Sequence, residues 1–141
     1  MNPSFPSRPR ARHGAAAVEF ALAAPIFFLF VFGLVEVGRA CMVNEILTEA
    51  ARQGCRAGII EGTSSAAIQQ AATSYLSGVG IGGETANVVI NDQTANSVEA
   101  ATMPAYTEIT VQVSVPVSSV TWVPTWFVSG TISAQYTMRR E

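Results

Sequence analysis

The chain has 141 residues, a formal net charge of −2 and 13% charged residues, and every one of its strong bases is arginine. That leaves no basic face to follow a phosphate backbone, which excludes nucleic acid as a partner, and the length holds one domain of ordinary size. The single histidine, His13, lies near the N-terminus, the two cysteines and scattered carboxylates have no metal-ligand spacing, and Ser64, Ser65, Ser118 and Ser119 have no base at a motif spacing. The expectation is a non-enzyme with no metal, no cofactor and no small-molecule substrate.

Residues 1–13, MNPSFPSRPRARH, hold three prolines and three arginines with almost no apolar periodicity, and read as a disordered basic leader. From Phe20 to Val35, sixteen residues carry no charge, and as a helix they cover about 24 Å of a hydrocarbon core about 30 Å thick. Ala15–Val18 and Val37–Gly38 extend the apolar stretch past both flanking glutamates, and local thinning of a bilayer is cheap. Ile26 to Phe32 reads IFFLFVF, apolar around the whole circumference, where a surface helix would be one-sided. The stretch reads as a membrane segment. Arg8, Arg10 and Arg12 immediately before it, against Arg39 alone immediately after, set the N-terminus in the cytoplasm and the remainder outside the cytoplasmic membrane.

Glu19 is a residue that a plain anchor does not need, because a carboxylate within the apolar segment costs ~2.5 to 3.5 kcal/mol at the bilayer centre and less near its edge. From the residue alone, a snorkelling side chain and a functional one are both open. Gly14, four small or aliphatic residues, then Glu19 and Phe20, with arginines before and an apolar helix after, resemble a type IV prepilin processing site. Together with Glu36-Val37-Gly38-Arg39 and Ala50-Ala51-Arg52-Gln53-Gly54, the stretch from Arg12 to Gly58 resembles the TadE-like family of minor pilins, or pseudopilins, of tight-adherence (Flp-type) pilus systems; Cys55 stands where alanine is more usual. The resemblance implies cleavage between Gly14 and Ala15 by a membrane prepilin peptidase, with Glu19 and Phe20 as recognition residues. It further implies assembly with other pilins or pseudopilins on a Tad assembly platform. Once Ala15 carries a free ammonium, a buried Glu19 can pair with the amine of a neighbouring subunit, which offsets its desolvation.

Two other peptidase sites compete. Gly38-Arg39-Ala40 has the small residues of a signal peptidase site, and cleavage after Ala40 would secrete a soluble domain, although Glu36 and Arg39 lie awkwardly close to the cut. A lipoprotein site at Cys41 lacks the usual residues before it. An uncleaved membrane-anchored binding or adhesion module is the remaining alternative.

Past Ala40 the pattern becomes one-sided. Val43, Ile46, Leu47, Ala50, Ala51, Gly54, Cys55, Gly58 and Ile59 recur at three- and four-residue steps, with polar residues opposite. With no cap or proline in between, one continuous helix is expected from about Ala15 to Ile60, kinked or locally opened at Pro25. Cys41 and Cys55 are then about 21 Å apart, too far for a disulfide. Glu61 to Ser65 breaks the helix, and a second is expected over about Ser65–Leu76, with Ile68, Ala72, Tyr75 and Val79 along one side and an end at Gly78. Gly78, Gly80 and Gly83 fit GxGxxG, but a helix precedes and a strand follows, the reverse of a dinucleotide site, so they read as a turn.

Three alternating runs complete the chain: Ala86 to Ile90, Ile109 to Val115 and Ile132 to Met138. The fold class expected is α+β and type IV pilin-like, with a long N-terminal transmembrane and amphipathic helix on a small antiparallel sheet, plus one short helix. Its divisions are leader 1–14, transmembrane helix 15–38, amphipathic continuation 39–60 and an extracytoplasmic α+β domain 61–141. Between the last two strands, Trp122, Trp126 and Phe127 read either as core or as a contact for a subunit or a membrane surface.

Overall fold

The computed structural model describes residues 12–81, 87–91, 100–102, 104–121 and 129–140. The elements are α1 (Arg12–Gly58), α2 (Ser65–Gly78), β1 (Asn87–Asn91), β2 (Glu108–Pro116) and β3 (Thr131–Arg139), with single 3-10 turns at Ala100–Thr102 and Val117–Ser119. The class is α+β and pilin-like, a long N-terminal helix followed by a short helix and an antiparallel sheet. The chain divides into two compact units, Met1–Val35 and Glu36–Glu141.

In the first unit α1 is a bare helix. Phe20, Leu22, Ile26, Phe27, Leu29, Phe30 and Phe32 are all exposed, the arrangement of a segment whose solvent is not water. The helix is long and apolar enough to cross a membrane and stays helical on both sides of Pro25. It starts at Arg12, three residues before the expected Ala15. Pro9 is the last proline before the helix, and from there arginine, a good helix former, lets the helix run back into the leader.

The second unit, hereafter the head, includes the rest of α1. Val43, Leu47, Ala50, Ala51 and Cys55 are buried along one stripe of that helix, against Ile68, Ala72 and Leu76 of α2 and Ile109, Val111, Val113 and Val115 of β2. The sheet order is β1-β2-β3, antiparallel throughout. Val89 faces Gln112 and Val111 faces Tyr136. Central β2 therefore buries its apolar side completely, while Ile132, Ala134, Tyr136 and Met138 on edge strand β3 are half-buried. On the wet side the Thr110 and Thr137 hydroxyls meet at 2.8 Å.

Helix α2 is framed by local chemistry. Ser64 Oγ accepts the Ala67 amide at 3.3 Å, a side-chain cap for one orphan donor. At the other end Ile81 N–H donates to Leu76 O at 2.9 Å and Gly80 N–H to Ser77 O at 3.2 Å, with Gly80 at φ +83°, which is a Schellman motif. The helix ends at Gly78, as expected, two residues beyond Leu76, while the glycine that caps it is Gly80. Its buried stripe is Ile68, Ala72 and Leu76, whereas Val79, expected on that side, is 46% exposed because the helix has ended there.

Small residues let α1 lie close to its neighbours. A Cβ on Gly54 would meet Val111 Cγ1 at 3.2 Å, Ala72 Cβ at 3.4 Å and the Ile68 carbonyl at 3.5 Å. Gly54→Ala gains about 1 kcal/mol of helix propensity against that tight contact, so its stability should change little. Gly54→Leu has no room on three sides and should lose ~3 kcal/mol through overpacking. Thermal denaturation of the two variants in detergent checks the contrast.

Cys55 sits over the β2–β3 ladder, its Sγ 3.1 Å from the Tyr136 carbonyl and 3.6 Å from that of Ile109. Cys41 and Cys55 are both free thiols, the first exposed and the second buried. Burial pushes the Cys55 thiol up, partly countered by the backbone of Val111 and Met138. A raised folded value means the folded chain holds this proton more tightly than the unfolded chain. The associated stability is fully present below the unfolded thiol value, near pH 8.5, and is lost as pH rises from there through the folded value. Melting temperature should therefore fall through mild alkali, and Cys55→Ala, although less stable at neutral pH, should show a shallower alkaline decline.

Candidate processing site and the clasp on the helix

Gly14, Ala15, Glu19 and Phe20 lie together on exposed helix, Phe20 at 72% exposure. A spacing of four puts Ala15 and Glu19 one turn apart on the same face. Among the described residues, no side chain or backbone outside the local helix comes within 4 Å of a Cβ placed on Gly14, so these residues leave the Gly14–Ala15 peptide sterically open. A glycine inside a helix also weakens it by roughly 0.5–1 kcal/mol relative to alanine. Opening the helix here, as a peptidase must to reach an extended peptide, is therefore cheap. Just beyond, Phe20, Ala23, Ala24, Phe27 and Phe28 line an apolar hollow. Arg12 opens α1; Arg8 and Arg10 lie outside the described residues, as do Trp122, Trp126 and Phe127.

A second constellation escaped the sequence reading in its geometry, although its helix residues were on view. Glu36 Oε1 accepts a hydrogen bond from Thr121 Oγ1, and Arg39 Nε donates to the Val120 carbonyl. A spacing of three places Glu36 and Arg39 on one face of α1, so the pair clasps the chain just after β2. The visible signal was two charges next to an apolar segment; the partners, more than eighty residues on, had none.

At the far end of the head Arg140 is 1% exposed. Its guanidinium donates to the Ala100 carbonyl at 2.6 Å and to the Ile60 carbonyl at 2.7 Å, while its backbone N–H donates to Thr107 O at 2.8 Å and its carbonyl accepts from Tyr106 N–H at 3.1 Å. Ile60 lies just past the end of α1, where the helix dipole favours a cation. Tyr106 has φ +69°, an uncommon conformation for a residue with a side chain, and the Arg139 guanidinium sits 5.4 Å from its ring. On the polar face of α1, Glu49 is matched internally by Gln53 at 2.8 Å and Arg52 at 3.5 Å, and Arg52 lies over Tyr136. These groups support the fold.

A long N-terminal helix with an exposed apolar stretch, followed by a short helix and an antiparallel sheet, defines the class: an α+β, pilin-like fold with one helix near the N-terminus long and apolar enough to cross a membrane. Within that class, the family model of TadE-like proteins matches residues 14–56, so the chain is similar to TadE-like proteins over that stretch. No curated protein and no solved structure matches the chain.

Proposed function

We propose that this chain is a minor pilin or pseudopilin of a Tad pilus, inserted in the inner membrane with Arg8, Arg10 and Arg12 on the cytoplasmic side and the head outside. A prepilin peptidase hydrolyses the Gly14–Ala15 peptide: water adds to the Gly14 carbonyl, leaving a carboxylate on Gly14 and an ammonium on Ala15. Glu19 and Phe20 mark the site, and Glu19 later pairs with the ammonium of a neighbouring pilin. The observation that carries this reading is the TadE-like match over residues 14–56, whose first residue is the glycine of the proposed cut.

The clasp weighs against secretion after Ala40, because that cut would strip Glu36 and Arg39 from the head and leave Thr121 without this acceptor. N-terminal sequencing of protein purified from cells tests the proposal. A start at Ala15 is the expected result; a start at Cys41, or an intact leader in cells that hold an active prepilin peptidase, sinks it.

A further inference from the structure

We propose that the open edge of β3 takes up an extended segment of another protein as a fourth strand, and that this segment carries a carboxylate for Arg52 and Arg56. The surface lies wholly within the unit Glu36–Glu141 and is independent of where the leader is cut. In the sheet order β1-β2-β3, β3 pairs with β2 alone. Just past either end of their register, Val117 N–H donates to Gly130 O and Arg140 N–H donates to Thr107 O, so the even-numbered residues of β3 bond to β2. An antiparallel ladder alternates. Ser133, Gln135 and Thr137 therefore turn their backbone N–H and C=O groups to the other side, where no described backbone group meets them. Edge strands are commonly blunted by charge, proline or short length. β3 runs nine residues, Thr131–Arg139, with no proline and no charge before Arg139.

A strand added there lies about 4.8 Å from β3, and every second side chain of it points to the core side, where Ile132, Ala134, Tyr136 and Met138 are only half-buried. On that side Glu49, Arg52, Gln53, Arg56 and Ile59 of α1 line a hollow together with Met138 of β3. Arg52 and Arg56 are exposed, one helical turn apart on one face. Glu49 is matched by Arg52 at 3.5 Å and Gln53 at 2.8 Å, whereas no described acidic side chain pairs with Arg56. The hollow thus holds one more cation than anion beside apolar side chains, which fits an inward carboxylate flanked by apolar residues. A second copy of this chain does not supply it, because neither edge strand, β1 (NVVIN) nor β3 (TISAQYTMR), contains an acidic residue. In such additions main-chain hydrogen bonds provide affinity and alternate side chains provide specificity.

The test uses the full chain in detergent and a fluorescein-labelled nine-residue peptide with threonine at the odd positions and valine, glutamate, valine and valine at the even ones. Fluorescence anisotropy is expected to show this peptide binding about three- to five-fold tighter than its glutamine counterpart, the scale of an exposed ion pair. Arg56→Glu should reverse the preference in favour of a lysine peptide. Gln135→Pro removes an outward N–H and leaves the β2 ladder intact; it should abolish binding while thermal melting shows the head still folded. A peptide N-methylated at the amides that face β3 should show the same loss with the chain unaltered. Equal binding of the glutamate and glutamine peptides overturns the carboxylate. Binding that survives both Gln135→Pro and N-methylation, or no binding of any peptide, overturns the strand addition. Self-association in sedimentation that is lost on Gln135→Pro assigns the edge to a second copy and overturns the proposal as well.

Discussion

Substituting Gly14→Val is expected to abolish maturation, so that the chain accumulates at full length with Met1 or its deformylated equivalent as the N-terminus. Two physical effects act in the same direction. A peptidase must draw Gly14 into an extended conformation close to its catalytic groups, and a branched Cβ fills the space that the bare glycine leaves open. Removing glycine also takes away the local weakness that makes the helix easy to open at this point. Gly14→Ala separates the two, since alanine adds the least bulk but restores the most helix propensity, and it should be cut more slowly than the native chain yet faster than the valine variant. Glu19→Gln keeps shape and hydrogen bonding but loses the charge; it should reduce assembly into pili more than it reduces membrane insertion, because a neutral side chain cannot neutralise the ammonium at Ala15. Intact-mass measurement of protein from membranes, with and without the prepilin peptidase, reads the first two variants. Recovery of sheared pili reads the third. Wild-type rates of processing for Gly14→Val would contradict the assignment of the cut.

The helix, its two-part character and the sheet were legible because each depends on local periodicity. Phe20 to Val35 is apolar all round, Val43 to Gly58 apolar on one side, and Ile109 to Val115 alternates with period two, so solvent and core assigned each face before any partner was known. The end of α2 at Gly78 was legible, but two glycines, Gly78 and Gly80, compete for one capping position, and only the backbone at φ +83° decides between them. What local pattern could not supply was every contact that joins distant parts of the chain. Glu36 and Arg39 were visible as charges beside a membrane segment, but nothing in Val120-Thr121 marks them as partners. Nothing in the local pattern distinguishes Arg139 from Arg140, yet one lies over an exposed tyrosine and the other is buried. The proposed processing residues belong to a different kind of signal: a short linear motif that a peptidase would read can be proposed from sequence alone, without any tertiary contact.

Replacing Arg140 is expected to be the most damaging single change to the head. Its guanidinium gathers the chain just after α1, through Ile60, and the 3-10 turn at Ala100, two segments that no described backbone hydrogen bond joins directly. Hydrogen bonds to a charged group contribute ~1.5–3 kcal/mol each, and Arg140→Ala leaves both carbonyls facing a cavity where the side chain was. A loss of ~3–5 kcal/mol follows, a large share of the roughly 5–15 kcal/mol that holds a domain of this size together, and on the order of a 20 °C fall in melting temperature. Arg140→Met restores volume without donors and should recover only the packing part, whereas Arg140→Lys keeps the charge at the helix end but reaches one carbonyl well instead of two, and should lose about half as much as alanine. Because the group is buried, added salt should barely change these differences, unlike those of an exposed pair. Thermal melts in detergent at low and high salt provide the comparison. An alanine variant within about 1 kcal/mol of the native chain would show that Ile60 and Ala100 find water or other donors instead. The consequence for the proposed pilin reaches beyond stability: α1 continues from the membrane into the core of the head, so an unfolded head leaves Val43, Leu47 and Ala50 exposed on the same helix that must enter the filament. The arginine at the far end of the chain thereby decides whether the helix arrives at assembly with a folded head or as a bare apolar stalk.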